Sequence, residues 1–139
     1  MQLRQTYIKR EEEIMQINKL WTLPVLSSEI EEGININNEG MDMILSFYFN
    51  HENEIKRKFE IRFKSVLCHM HTSERFTKKL YDSYDTLVCL EGSEWLNNLK
   101  ILNPRDFDYW NPKHFVIYFD SVGQYQFISS DFLVREINL

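Results

Sequence analysis

The feature that most constrains this chain is a two-residue rhythm of aromatic side chains between Asp42 and Lys64. In "MDMILSFYFN", residues 41–50, Met43, Leu45, Phe47 and Phe49 share one side, while Ser46, Tyr48 and Asn50 fall mostly on the other. In "KRKFEIRFK", residues 56–64, Phe59, Ile61 and Phe63 alternate with Lys58, Glu60, Arg62 and Lys64. Successive side chains on a strand point to opposite faces, so each segment reads as a strand with one buried face. The intervening "HENE", 51–54, reads as the turn. Rings gathered on one face need further apolar surface to cover them, and the C-terminal third supplies it. "YFDSVGQYQFI", residues 118–128, reads as two aromatic strands around a four-residue turn. Gly123 provides the positive φ such a turn usually requires, and Asp120 can bond to turn amides.

The rest of the chain fills in around these strands. Leu3, Tyr7, Ile14, Ile17 and Trp21 fall at roughly helical spacing, which predicts a helix over 3–20, with a strand near Thr6–Lys9 as the alternative. Pro24 stops any such helix, and "EEGININNEG", 31–40, reads as turn. After Lys64 the apolar phase flips to Val66, Cys68 and Met70. That flip predicts a β-bulge near Lys64–Val66, or a strand covered on both faces beyond it. "TSERFTKKLYDSYD" is polar, with room for one helical turn, and "TLVCLEG" is a short buried strand. "GSEWLNNLKILNP" predicts a short helix capped by Ser93, with Glu94 in its first turn, Trp95, Leu96 and Leu99 inward, and Asn103–Pro104 at its end. "RDFDYWNPK" reads as an aromatic loop, and "SSDFLVREI" as a closing strand. The class is therefore α+β and strand-dominant, with six or seven strands and one or two short helices. A curved antiparallel sheet or a partly open barrel is expected. The expected core is Phe47, Phe59, Ile61, Phe63, Val88, Trp95, Phe115, Ile117, Phe119 and Phe127. Because "FVIYF" is apolar throughout, both of its faces are expected to be covered.

One domain, residues 1–139, accommodates all of this. Ten Phe, seven Tyr and three Trp make 14% of the chain aromatic, enough for a small core to bury a large area. The N-terminal "MQLRQTYIKREEEIMQINKLW" is charged throughout and lacks the apolar run of an export signal, and no segment nears the length of a membrane helix. A cytoplasmic protein with two buried thiols, Cys68 and Cys89, is expected. A net charge of −5 argues against binding a nucleic-acid backbone. The charge is also segregated. Between Lys19 and Lys56 there are seven acids and no Lys or Arg, and the basic run 56–64 follows at once. The two patches either neutralise each other across neighbouring strands, or present an acidic surface to a basic partner.

Few residues suggest chemistry. His69 and His71 of "CHMH" share a strand face and could bind zinc, given a third ligand from His51, His114 or a carboxylate. Read blandly, they are a surface pair on an edge strand. A Cys68 or Cys89 pair with His114 lacks any nucleophile signature, and apolar surroundings disfavour the thiolate. Asp106 and Asp108 could serve acid–base work in a cleft, but such residues usually cap turns or face water. No phosphate-loop, dinucleotide, zinc-protease or serine-elbow motif occurs. Phe107, Tyr109 and Trp110 could form a partner-binding patch, or cover the open end of the sheet.

"SYDTLVCLEGSEWLNNL", 83–99, followed by "HFVIYFDSVGQYQFISSDFLV", 114–134, resembles the C-terminal part of small bacterial immunity-type proteins encoded beside polymorphic toxins. The shared features are a strand, "SEW-L" on a short helix, and an aromatic hairpin. The resemblance implies a stoichiometric binder of a cognate toxin domain, without turnover, catalytic residue or cofactor. An acidic interval would suit a basic domain such as a nuclease. The expected contacts are Glu29, Glu31, Glu32 and Asp42 for charge, with Tyr109 and Trp110 as anchors. Two alternatives stand beside it: a small-ligand or structural module with an aromatic-lined cavity, and a metal protein using His69 and His71.

Overall fold

The computed structural model describes residues 15–50 and 55–139. Their strands are β1 (Gln16–Thr22), β2 (Glu31–Glu39), β3 (Asp42–Asn50), β4 (Lys56–Lys64), β5 (Cys68–Ser73), β6 (Thr86–Glu91), β7 (Lys113–Phe119), β8 (Gly123–Ser129) and β9 (Asp131–Ile137). Two short helices, α1 (Glu94–Leu102) and α2 (Pro104–Trp110), lie between β6 and β7. The strand-dominant antiparallel α+β class holds. The strands divide into a five-stranded sheet, β1-β6-β7-β8-β5, and a four-stranded sheet, β2-β3-β4-β9, which do not close into a barrel.

The two sheets share a core of rings. Phe47, Phe49, Ile61 and Phe63 project from the four-stranded sheet, and Leu87, Phe115, Ile117, Phe119 and Phe127 meet them from the other. Phe63 stacks on Phe127 with centroids 4.0 Å apart, and Phe47 meets Phe119 edge-on at 5.8 Å. Such pairs add about 0.5–1.5 kcal/mol each beyond the area they bury. Eight of the ten expected core residues are buried; Phe59 and Trp95 are half-buried. β7 is covered on both faces, as expected. Val88, Leu90 and Val116 form a second cluster on the outer side of the five-stranded sheet, packed by Met15, Ile17 and Tyr81.

Several local expectations are corrected. Residues 16–22 are a strand, paired with β6, where a helix over 3–20 was expected; residues 3–14 of that helix, and the "HENE" turn, lie outside the described residues. A register shift between Lys19 and Trp21 explains the false helical spacing. It lets Ile17 pack on the outer cluster and Trp21 on the inner core, four positions apart. "EEGININNEG" is the edge strand β2, not a turn. Ile34 and Ile36 point inward at period two, and Glu32 and Gly33, with φ of 65° and 73°, absorb an irregularity in the pairing with β3. The phase flip after Lys64 is not a bulge within one strand. Ser65 turns the chain at φ 51°, and the strand beyond it joins the other sheet.

"RDFDYWNPK" is largely helix. Asn103 closes α1 through its N–H to Leu99, and its side chain caps α2 by accepting from Asp106 N–H at 3.2 Å. Pro104 occupies the first turn of α2, where its missing N–H costs nothing, and Asn111 ends that helix in the left-handed region. Ser93 caps α1 as expected, accepting from Leu96 N–H. Gly123 is required for more than the turn. A Cβ there would sit 2.1 Å from the carbonyl oxygen of Thr72 on β5. Asp120 bonds Tyr84 and Ser121 side chains rather than turn amides.

Phe63→Ala is expected to cost about 3–5 kcal/mol in denaturant unfolding, because it empties the centre of the ring layer. Phe76→Ala, at a residue 78% exposed, should stay within about 0.5 kcal/mol of the parent.

Candidate functional site

Among the described residues the acidic interval is largely engaged within the molecule; Glu52 and Glu54 lie outside them. Arg62 on β4 bridges Glu39 at 2.9 Å and Asp42 at 2.8 Å, Lys56 reaches Glu32 at 3.0 Å, and Asn50 donates to Glu31 at 2.7 Å. The Ser65 N–H, then Arg62, hold the Asp42 carboxyl below the usual carboxylate range. The mutual neutralisation of the two patches is therefore what the pairing of β2, β3 and β4 produces. Exposed pairs of this kind contribute little stability individually. Glu29 is exposed on a short 3-10 turn and bridges to no cation among the described residues.

Tyr109 and Trp110 stand elsewhere, on α2, where their rings meet edge-on at 5.0 Å. α1 lies on the outer side of the five-stranded sheet, since Trp95 packs edge-on against His114 at 5.3 Å. The fold thus does not gather the two predicted contact sets into one patch. What it does gather is a helical corner. Ile101, Leu102 and Tyr109 are 78%, 80% and 77% exposed, with Trp110 and Phe107 half-buried beside them. Asp106, Asp108 and Arg105 border this corner.

His69 and His71 stay at the exposed rim of β5. By register they face the same side as Phe127 and Tyr125, and His71 stacks on Tyr125 at 4.3 Å. His114 pairs with Ile128 and faces the opposite side, so it cannot complete a site with them. Among the described residues no group of three or more His, Cys, Asp or Glu is placed to hold a metal. Cys89 lies on the inner face, away from His114; Cys68 shares the face of His114 but stands two strands away, about 10 Å. Both cysteines are free, and burial raises both thiols. Asp106 is bonded to Asn103 within the cap, and residues two apart on a helix do not face each other.

The structure adds a cleft of about 930 Å³ on the outer face of the five-stranded sheet, between α1 and the 79–81 segment. Trp95, Tyr81, Met70 and Ile101 supply its apolar walls, and His114 and Gln126 lie on its floor. Beneath it runs a directed chain of hydrogen bonds. Gln124 donates to the Lys79 carbonyl at 2.8 Å, Gln126 donates to Gln124 at 3.1 Å, and His114 Nε2 donates to Gln126 Oε1 at 2.8 Å. That leaves His114 Nδ1 to accept from the Ser93 hydroxyl, 2.8 Å away, while Ser93 Oγ accepts from Leu96 N–H. Every polar group in the chain is satisfied with a neutral imidazole. Burial pushes His114 below its ordinary value of 6.5. The Ser93–His114 contact ties the cap of α1 to a buried imidazole, and Ser93 is 4% exposed. The sequence analysis missed this site. The available signal was that His114, Gln124 and Gln126 share the phase opposite to Phe115, Tyr125 and Phe127 on the hairpin.

Comparison with family models, with curated proteins and with solved structures yields no match. No helix among the described residues is long and apolar enough to cross a membrane.

The neutral His114 makes stability depend on pH. The unfolded chain takes up a proton near 6.5 and the folded chain resists it. Stability should be complete above pH 7 and fall as pH drops from 6.5 towards the lowered folded value, by at most about 1.4 kcal/mol per pH unit. Denaturant unfolding between about pH 7.5 and about pH 5.5 should show that slope, and His114→Gln should flatten it.

Proposed function

We propose that this chain is a non-catalytic binding protein of the immunity type, which neutralises a cognate bacterial toxin domain by stoichiometric contact. The observation that carries this reading is the exposed corner formed by Ile101, Leu102 and Tyr109. Large apolar side chains projecting from two short capped helices are poorly placed for stability, since they bury little of their surface. They are well placed for a partner's pocket, where aromatic anchors on a firm backbone dominate binding energy. The resemblance of residues 83–134 to immunity-type proteins supports the same reading, because α1 falls inside it. The role foreseen for Glu31, Glu32 and Asp42 narrows. With their charges partly met inside the fold, they contribute to steering at the rim rather than to a desolvated contact. Glu29, exposed and in no ion pair among the described residues, serves the same purpose. The site of action that fits is the bacterial cytoplasm, where Cys68 and Cys89 would stay reduced.

A second reading is a small-ligand module. The cleft over His114 favours it, with Trp95 and Tyr81 as walls and a buried polar floor. This hollow lies on an outer sheet face, and the interior between the sheets is filled by rings. An aromatic-lined cavity inside the sheet is therefore not what the second reading rests on.

The test uses a candidate toxin domain taken from the genes neighbouring that of this chain. Co-expression should restore growth, and the purified proteins should form a 1:1 complex. Ile101→Asp with Tyr109→Ala should weaken that complex by about tenfold or more, with unfolding unchanged, because both side chains are exposed. An absent complex, or one indifferent to both substitutions, would overturn the reading.

A further inference from the structure

A separate hollow of about 760 Å³ opens where the 22–29 segment passes the end of β3. Leu23, Val25 and Phe49 form apolar walls, and Glu29, Arg57 and Asp85 bring charge. Asp85 is the unusual member. It is only 7% exposed and is fixed by its backbone: its N–H donates to the Tyr118 carbonyl at 2.9 Å, and its carbonyl accepts from Leu23 N–H at 2.8 Å. Carboxylate Oδ2 accepts from Ser27 N–H at 3.1 Å. Oδ1 is buried, and no donor among the described residues reaches it.

A buried carboxylate with one oxygen unmatched is costly, and proteins rarely keep one without a counter-charge. The cation in the same hollow does not provide it. Arg57 is turned to Glu136, which it holds through both Nε and a terminal guanidinium nitrogen. That pair is internally neutral. The hollow is left with the charges of Asp85 inside and Glu29 at the rim, above apolar walls. Those walls suit methylenes, and the two carboxylates suit a positive head bearing N–H donors.

The geometry points to a binding site for an alkyl cation, a guanidinium or ammonium on an aliphatic stem, held between Asp85 and Glu29. Sharing its oxygens between Ser27 N–H and the ligand calls on rotation about the soft Cβ–Cγ torsion of Asp85. The site is separate from the helical corner and shares only Glu29 with the steering charges proposed above.

The test is a titration of the full chain, followed by backbone amide NMR signals of Leu23, Ser27 and Asp85. The probes are N-acetyl-arginine-amide, N-acetyl-lysine-amide and the neutral N-acetyl-glutamine-amide. Both cations should give saturable shifts and the neutral probe none. Asp85→Asn should weaken binding by about tenfold or more, and Glu29→Gln by a smaller factor. Free arginine separates the sources. Binding weaker than that of the capped form indicates a polypeptide side chain; tighter binding indicates a small metabolite. If Asp85→Asn does not fold, wild-type binding should still weaken between about 0.02 M and about 0.5 M salt. No saturable shift at about 10 mM cation, equal shifts with the glutamine probe, affinity unchanged in a folded Asp85→Asn, or binding indifferent to salt would each overturn the site.

Discussion

The layer of stacked rings between the two sheets is the constraint on which the rest depends. Phe63 against Phe127, Phe63 against Phe115 and Phe47 against Phe119 tie strands from different sheets together. These contacts are specific in register as well as apolar. A one-residue slip of β4 against β3 would turn Phe59, Ile61 and Phe63 to solvent and bring Lys58, Glu60 and Arg62 inside. The same layer explains why β7 can be apolar on both faces. Its inner side belongs to the rings, and its outer side carries the second cluster and the buried polar floor beneath α1. Once the interior is filled in this way, functional surface must come from what the sheets carry on their outer faces and edges.

Three such places differ in their physics. On the four-stranded sheet, opposite charges answer each other across β2, β3 and β4, which makes this face well solvated and largely self-contained. On the five-stranded sheet, α1 and α2 project large apolar side chains into water at the corner, and beside them a hydrogen-bonded chain keeps His114 neutral. At the end of the sandwich, Asp85 is held with one oxygen lacking a protein donor among the described residues. The first place carries paired surface charge, the second exposed apolar side chains, the third a carboxylate oxygen without a partner among the described residues.

Much of this was legible in the residues. β3 and β4 announce themselves because each has one apolar face and period two, the β7–β8 hairpin because an apolar run leads into a turn closed by Gly123, and α1 because Ser93 precedes an amphipathic turn. β1 was misread because a four-residue spacing between Ile17 and Trp21 serves a helix and a bulged strand equally well. β2 was misread because an exposed edge strand tolerates Asn and Gly that would weaken a central one. α2 was misread because Asn103–Pro104 stops one helix and starts another, so a single signal carried two meanings. Tyr109 and Trp110 were picked out from the residues, while Ile101 and Leu102 were given no role on the helix read from "GSEWLNNLKILNP". The link between His114 and Ser93, and the isolation of Asp85, arise from long-range pairing that no local pattern encodes.

We propose that the helical corner is where this protein meets its partner. Amide hydrogen exchange of the chain, alone and with the cognate toxin domain, tests that most directly. Slowed exchange centred on residues 99–111, with β2 and the β2–β3 turn unchanged, is the predicted pattern. Protection confined to the β2–β3 edge, or to the cleft floor around His114, would contradict it.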